Sequence, residues 1–204
     1  MMIDCKNANT GVILAGGRAE RMGGQDKGLL PLAGEPLIVH SIRRLQPQVA
    51  ELLISANRNL AIYQAFGHRV IGDDPDTRFR GPLAGMLAAL KATTTPYLLT
   101  APCDSPWLPP DYAERMAAAL AAGASVSVAV GEGRWQPVFA LLPVALREDL
   151  ADWLATSQHG VGRWLHRLQP ALVDFADGPA LFRNLNTPED WAALAADYDS
   201  LPAP

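Results

Sequence analysis

The sequence predicts an α/β protein with a mostly parallel central sheet. Short clusters rich in β-branched residues alternate with longer stretches rich in Ala and Leu, and this alternation is typical of βαβ units. Prolines stand at or near the first position of several helical stretches, where the missing N–H costs nothing. The chain has 204 residues, of which 49% are hydrophobic, so we expect one domain with a buried core.

Each predicted strand comes from a short apolar cluster, and each predicted helix comes from a longer stretch. The strands are 11–15, 51–55, 69–71, 97–101, 125–130, 137–142 and 171–175. The helices are 36–45, 60–66, 82–92, 110–122, 143–156, 162–168 and 188–198. The alternation is regular to about residue 122 and changes after it, so we expect the last third to form a different lobe of the same sheet.

Charge and composition exclude several classes of function. The net charge of -4 argues against a protein that holds nucleic acid by counterion release. The uncharged stretch around 116–130 is shorter than the roughly 20 apolar residues that a membrane span needs. The sequence begins without the apolar core of a secretory signal, and Cys5 and Cys103 have neither disulfide nor zinc spacing. We therefore expect a cytoplasmic protein that binds neither nucleic acid nor membranes.

The most informative segment is a glycine-rich loop after the first strand. It reads Gly11-Val-Ile-Leu-Ala-Gly-Gly-Arg-Ala-Glu-Arg-Met-Gly-Gly-Gln-Asp-Lys27, and it contains the cations Arg18, Arg21 and Lys27. Glycines let successive backbone N–H groups turn toward one point, and the cations offset the charge of a polyphosphate. The alternative is a flexible turn with solvated cations. The spacing matches neither a P-loop nor the G-x-G-x-x-G of dinucleotide folds.

Two aspartates follow predicted strands, at the edge where open α/β sheets bind ligands. Asp104 comes just after strand 97–101, where a hard carboxylate suits Mg²⁺ that is shared with substrate phosphates. Its alternative role is to start the Asp-Ser-Pro turn. Asp73 can accept hydrogen bonds from N–H or hydroxyl groups of a ligand, although Asp74 competes for this role. Both positions are candidate binding sites.

The loop resembles the opening signature of a known family. Its pattern L-A-G-G-x-x-x-R-M-G-x-x-D-K-x-L-x-x-L-x-G-x-P-L is similar to that of the molybdenum cofactor guanylyltransferases (MobA), which belong to a larger nucleotidyltransferase family. The resemblance spans most of the chain. It continues through Asn57-Arg58, Asp73, Gly81-Pro-Leu-Ala-Gly85, Pro102-Cys-Asp-Ser-Pro106 and Asn184-Leu-Asn-Thr-Pro-Glu-Asp190.

The resemblance implies a fold, a reaction and partners. The fold is a Rossmann-like three-layer α/β domain over residues 1–204, with a nucleotide-binding half at about 8–122 and a cofactor-binding half at about 123–200. The reaction joins GMP from GTP to the terminal phosphate of molybdopterin and releases pyrophosphate, with Mg²⁺ as cofactor. Transient contact with proteins that supply molybdopterin or mature molybdoenzymes is also expected.

The family pattern assigns roles to a small set of residues. The expected catalytic residues are Arg21, Lys27 and Asp104, with Asp104 as the Mg²⁺ ligand. The expected nucleotide- and cofactor-binding residues are Leu14, Ala15, Gly16, Gly17, Lys27, Asp73 and Asp104. No protein nucleophile is required, and a general base is not obligatory because the attacking phosphate is already ionised near neutral pH. Catalysis is then expected to rest on alignment and on charge stabilisation.

Two positions depart from the family pattern. Ser55 stands where the family often has Asn, and Trp135-Gln136-Pro137 stands where His commonly precedes the proline, so guanine-side and pterin-side contacts are both affected. The Leu14-Ala-Gly-Gly17 form of the loop favours guanine, since related cytidylyltransferases tend to carry Leu-Ala-Ala-Gly. The alternatives are that cytidylyltransferase, a sugar-phosphate nucleotidyltransferase, or a non-catalytic nucleotide-binding protein that delivers the cofactor.

Overall fold

Strands and helices alternate along the computed structural model, which describes residues 5–16, 25–77, 80–131, 133–156 and 160–175. In chain order they are α1 (Cys5–Ala8), β1 (Asn9–Leu14), β2 (Pro31–Leu32), β3 (Glu35–Pro36), α2 (Leu37–Leu45), β4 (Glu51–Ser55), α3 (Leu60–Gln64), β5 (Arg69–Ile71), α4 (Pro82–Ala92), β6 (Tyr97–Pro102), α5 (Tyr112–Ala121), β7 (Ser127–Gly131), β8 (Arg134–Pro143), α6 (Arg147–Ala155), α7 (Val161–Arg167) and β9 (Ala171–Asp174). Among these helices, none is long and apolar enough to cross a membrane.

The main sheet has the strand order β5-β4-β1-β6-β8-β7-β9. The chain starts at β1, moves outward through β4 and β5 in parallel, and then crosses to β6 on the other side of β1. The carboxyl ends of these strands are level, because Leu14 pairs with both Ser55 and Pro102. Open α/β sheets bind ligands at such a point, where the strand order changes direction.

Both faces of the sheet are covered. Along β1, Val12 packs with Leu83 of α4 and Trp164 of α7, whereas the next residue, Ile13, packs on the opposite face with Met116 of α5. All of these side chains are fully buried. Burial on both faces is typical of parallel strands that lie between helical layers. The predicted three-layer α/β fold is therefore confirmed.

The strands after residue 122 continue the same sheet in a different direction. β8 is antiparallel to both β6 and β7, and β9 is parallel to β7. A turn that includes Gly133, with φ 69°, separates β7 from β8. Such a hairpin needs no crossover helix, which explains why the regular spacing of the earlier βαβ units ends here.

The predicted elements that fall within the described residues are found, most of them with ends shifted by a few residues. The elements with the predicted bounds are 51–55, 69–71 and 82–92. The helix predicted from residue 143 begins at Arg147, because Val144–Leu146 form a separate 3₁₀ turn. The helix predicted at 188–198 lies outside the described residues.

A short hairpin, β2 with β3, has no counterpart among the predicted elements. Its strands have two residues each, and Ala33 and Gly34 join them with φ of 49° and 84°. Strands of this length carry no alternation that a pattern search detects. The ring Nε2 of His40 lies 3.0 Å from the carbonyl oxygen of Leu32, and this contact fixes the hairpin to α2.

Candidate active site

A cleft of about 510 Å³ lies over the carboxyl ends of β1, β4 and β6. All predicted binding residues that lie within the described part of the chain line it, and these are Leu14, Ala15, Gly16, Lys27, Asp73 and Asp104. Gly17 and Arg21 lie outside the described residues, as does the Asn184–Asp190 motif. The lining also includes Gly81 and Pro82, at the start of α4, and residues 136–139 of β8.

Lys27 and Asp104 form an ion pair in this cleft. The Nζ atom of Lys27 donates to Oδ2 of Asp104 at 2.6 Å, and the two side chains are 20% and 16% exposed. Asp104 is reached from β6 through Cys103, whose backbone N–H donates to the carbonyl of Leu14 at 3.1 Å. The fold therefore places one cation and one carboxylate side by side at the carboxyl ends of β1 and β6.

The donor set of the cleft fits a magnesium ion that is held mainly by its substrate. Mg²⁺ takes one or two protein carboxylates and completes its shell with waters and phosphate oxygens. Asp104 supplies such a carboxylate. In the part of the chain that the structure describes, no group of three or more His, Cys, Asp or Glu side chains could hold a metal on protein ligands alone.

Asp73 is held by a reciprocal pair of hydrogen bonds with Asn57. The amide Nδ2 of Asn57 donates to Oδ2 of Asp73 at 2.7 Å, and the backbone N–H of Asp73 donates to Oδ1 of Asn57 at 2.9 Å. Asp74 is engaged elsewhere, in an ion pair with Lys91 of α4. Of the two competing aspartates, Asp73 therefore lines the cleft, and Asn57 orients it.

The start of the glycine-rich loop lies against the end of β4 and the residues that follow it. The backbone N–H of Ala15 donates to the carbonyl of Ser55 at 2.8 Å. A Cβ atom at Gly16 would lie 3.1 Å from the amide nitrogen of Asn57. Glycine at this position thus lets the loop pass close to the amide that holds Asp73.

Both positions that depart from the family pattern face the cleft. Ser55 ends β4 and is 1% exposed, and Gln136 lies on β8. The preceding residue, Trp135, stacks on the ring of His166 with the centroids 5.8 Å apart. The two departures are therefore differences in the lining of the site itself.

Asp26 is a cleft residue that the sequence analysis does not single out. Its side chain is 5% exposed, and its Oδ1 accepts a hydrogen bond from the hydroxyl of Tyr63 at 2.6 Å. Burial raises the pKa of Tyr63 and the hydrogen bond to Asp26 raises it further, so this hydroxyl remains a donor. The signal in the sequence that could have identified Asp26 is its place directly before Lys27, at the end of the glycine-rich loop.

The thiol of Cys103 also lines the cleft. Burial raises the pKa of this thiol, and the neighbouring carboxylate of Asp104 raises it further. The thiolate is the nucleophilic form of cysteine, and this environment disfavours it. Cys103 is therefore poorly suited to act as a nucleophile in this cleft.

Comparison with known proteins gives a consistent answer. Residues 11–172 match the MobA-like NTP transferase domain. The molybdenum cofactor guanylyltransferase of Shewanella amazonensis is 50% identical over 185 residues, which cover 90% of this chain and 94% of that protein. The molybdenum cofactor guanylyltransferase of Cupriavidus taiwanensis is 48% identical over 196 residues, with 92% and 96% covered.

A solved structure supports the same fold. The crystal structure of molybdopterin-guanine dinucleotide biosynthesis protein A from Archaeoglobus fulgidus superposes with a TM-score of 0.78 at 20% identity. The superposition covers 95% of this chain and 100% of that protein. The cleft lies at the carboxyl ends of β1, β4 and β6, and residues 11–172 match the MobA-like NTP transferase domain. Together with relatives that are about 50% identical, these findings show that the chain belongs to the molybdenum cofactor guanylyltransferase family of MobA-like NTP transferases.

Proposed function

We propose that this chain transfers GMP from GTP to the terminal phosphate of molybdopterin, forming molybdopterin guanine dinucleotide and pyrophosphate. The observation that carries the proposal is the meeting of Lys27, Asp73 and Asp104 in one cleft at the switch point of the sheet. The proposal is also supported by relatives that are 48–50% identical in sequence and are named molybdenum cofactor guanylyltransferases.

The proposed reaction is a direct displacement at phosphorus. An oxygen of the molybdopterin phosphate forms a bond to the α-phosphorus of GTP, and the bond from that phosphorus to the bridging oxygen breaks. Pyrophosphate leaves with the electron pair. The ammonium group of Lys27 offsets the charge of the triphosphate, and we assign the same role to Arg21 and to the amides of Gly16 and Gly17. Alignment of the two substrates in the cleft provides the remainder of the catalysis.

Asp104 is the residue that would hold Mg²⁺. When bound, the ion polarises the phosphate oxygens and offsets the charge of the leaving pyrophosphate. Lys27 reaches the same carboxylate at 2.6 Å. In the proposed reaction, the ammonium group of Lys27 thus lies near the negative charge that develops on the leaving pyrophosphate.

Asp73 is proposed to contact the nucleoside. Guanine presents paired N1–H and N2–H donors that one carboxylate accepts, and ribose hydroxyls offer the same kind of partner. The reciprocal hydrogen bonds with Asn57 hold this carboxylate in one orientation. A fixed acceptor of this kind favours a base with matching donors over one without them.

The remaining assignments follow the two parts of the sheet. We propose residues 8–122 as the nucleotide-binding half, because they contain Lys27, Asp73 and Asp104. Residues 123–200 form the proposed cofactor-binding half, since β8 supplies the part of the lining that begins at Gln136. We also propose a cytoplasmic location. Transient contacts with proteins that supply molybdopterin or mature molybdoenzymes are proposed as well, because the proposed reaction needs molybdopterin to be delivered to the cleft and its product to be removed.

The direct test is turnover with different nucleotides. The purified chain is incubated with molybdopterin, Mg²⁺ and either GTP, CTP or ATP, and both pyrophosphate and the dinucleotide product are measured. We expect product with GTP and little with the other two. Product formed with CTP at the same rate identifies the cytidylyltransferase alternative. Binding of GTP without release of pyrophosphate identifies the non-catalytic alternative.

A further inference from the structure

The carboxylate of Asp26 has donors on both of its oxygens. Besides the hydroxyl of Tyr63 on Oδ1, the amide of Asn59 donates to Oδ2 at 2.9 Å, and Nε of Arg58 lies 3.4 Å from the same oxygen. We refer to these four residues as the Asp26 cluster. A carboxylate that is 5% exposed, accepts two hydrogen bonds and lies beside a guanidinium is held in one orientation.

The donors of the Asp26 cluster come from one short segment at the start of α3. Asn59 occupies the N-cap position in the left-handed region, with φ 52°, yet its side chain makes no capping hydrogen bond to the helix. It gives its amide to Asp26 instead. Arg58 also donates to the carbonyl of Gln25 at 3.1 Å. Side chains at the start of α3 thus bind both the carboxylate of Asp26 and the backbone carbonyl of Gln25, just before Lys27.

Tyr63 also contacts the chain just after Lys27. The ring is fully buried, and a Cβ atom at Gly28 would lie 2.6 Å from its hydroxyl oxygen. A side chain at residue 28 therefore cannot coexist with the hydroxyl in this position. Tyr63 holds Asp26 by a hydrogen bond and packs on Gly28, so both neighbours of Lys27 are fixed by the same phenol.

We propose that Asp26 and Tyr63 are positioning residues that act through Lys27. By fixing the backbone on both sides of Lys27, they direct its ammonium group toward Asp104 and the triphosphate. This inference rests on the proposed function, because the triphosphate is the ligand that Lys27 is expected to meet. The competing role for Asp26 is a second magnesium ligand, but both of its oxygens already accept hydrogen bonds, from Tyr63 and from Asn59.

A double-mutant cycle tests whether Tyr63 acts through Lys27. Tyr63→Phe removes only the hydroxyl, and it is made both in the wild-type chain and in Lys27→Ala. The Kd of the nucleoside triphosphate is measured by calorimetry, and kcat/KM is measured by pyrophosphate release. We expect Tyr63→Phe to weaken nucleotide binding and to lower kcat/KM, each by about tenfold in the wild-type background, because the lost hydrogen bond has a charged acceptor, Asp26. In Lys27→Ala each effect should be less than about twofold, because the hydroxyl acts through that lysine.

Two further variants accompany the cycle. Tyr112→Phe is the matched control, because Tyr112 is equally buried and its hydroxyl donates to the carbonyl of Thr100 at 2.8 Å, away from the cleft. We expect it to lower Tm and to leave Kd unchanged. Asn59→Gly keeps the left-handed backbone and removes an exposed amide, so it reports on the Asp26 cluster even if Tyr63→Phe does not fold. It should raise Kd only when Lys27 is present.

The cycle is run with whichever of GTP and CTP the wild-type protein binds. If the guanine assignment is wrong, the wild-type protein binds CTP instead of GTP. If the positioning role is wrong, the double-mutant cycle shows no coupling between Tyr63 and Lys27. Equal losses in both backgrounds, or no loss in the wild-type background, overturn the inference. A wild-type protein that binds neither nucleotide overturns both the inference and the proposed function.

Discussion

At the scale of single residues, the site depends on charges that the fold brings together from distant positions. Lys27 and Asp104 are 77 positions apart in the sequence, yet their side chains meet at 2.6 Å. Both are largely shielded from solvent, so each charge acts with less screening than on an open surface. Removal of one charge therefore tests the role of the pair directly.

We expect Asp104→Asn to separate metal binding from turn formation. Asparagine has the size and much of the turn-forming ability of aspartate, but it lacks the negative charge that makes a carboxylate the stronger Mg²⁺ ligand. The variant should fold normally, lose at least about 99% of its transferase activity, and require more Mg²⁺ for the remainder. Activity measured across a Mg²⁺ titration, with Tm measured in parallel, checks this result.

The matched control for this variant is Asp111→Asn. Asp111 stands at the N-cap position of α5, pairs with Arg115, and lies outside the cleft. Its replacement should leave the Mg²⁺ requirement unchanged. If Asp104→Asn also shows an unchanged requirement together with substantial activity, the ion is held by other groups.

At the scale of secondary-structure elements, α6 and α7 are joined by one carboxylate. Asp149 of α6 accepts a hydrogen bond from the indole N–H of Trp164 at 2.8 Å and another from the guanidinium of Arg167. Burial alone would raise the pKa of Asp149, but the hydrogen bonds from Arg167 and Trp164 outweigh it and lower the pKa. The charged form of Asp149 is therefore the one that stabilises the contact between the helices.

We expect Asp149→Asn to destabilise the protein in a pH-dependent way. Because the pKa is lower in the folded state, the stabilisation is present above the unfolded pKa and is lost as the pH falls through the folded one. At pH 7 the free energy of unfolding should fall by about 1 kcal/mol, and the difference from wild type should shrink as the pH falls below about 4. Urea unfolding at several pH values measures this difference.

Asp152→Asn serves as the comparison on the same helix. Asp152 is exposed, so the same chemical change there should have little effect on stability at any pH. A difference between Asp149→Asn and wild type that stays constant from pH 7 to acid would contradict the role of its charge.

At the scale of the whole molecule, the topology assembles the lining of the cleft. The parallel strands bring the residues after β1, β5 and β6 to one edge, because parallel strands end on the same side of a sheet. The antiparallel β8 adds Gln136 to the lining of the same cleft. A nucleotide bound in this cleft contacts several elements at once, so its binding should stabilise the entire fold.

We expect GTP with Mg²⁺ to raise Tm more than CTP or ATP does. A ligand that binds only the folded state stabilises it by RT ln(1 + [L]/Kd), or about 2.7 kcal/mol at a hundredfold excess over Kd. For a chain of this size that corresponds to a shift of roughly 5–10 °C. Thermal unfolding with each nucleotide measures it, and Lys27→Ala should lose most of the shift. Equal stabilisation by CTP would contradict the preference for guanine.

The sequence by itself determined the α/β class, the approximate positions of most strands and helices, and the edge of the sheet at which the cleft lies. The spacing of apolar clusters shows where strands end, and residues that follow parallel strands must meet at one edge. Asp73 and Asp104 were candidates for this reason, and the glycine-rich loop added Lys27. All of these inferences depend only on neighbouring residues along the chain.

Only the tertiary structure decided which distant side chains are partners. It selected Asp73 over Asp74, because the fold pairs one with Asn57 and the other with Lys91. It also brought Asp26 to Tyr63, which is 37 positions away. Contacts of this kind depend on how helices and strands pack in three dimensions, and no local pattern of residues carries that information.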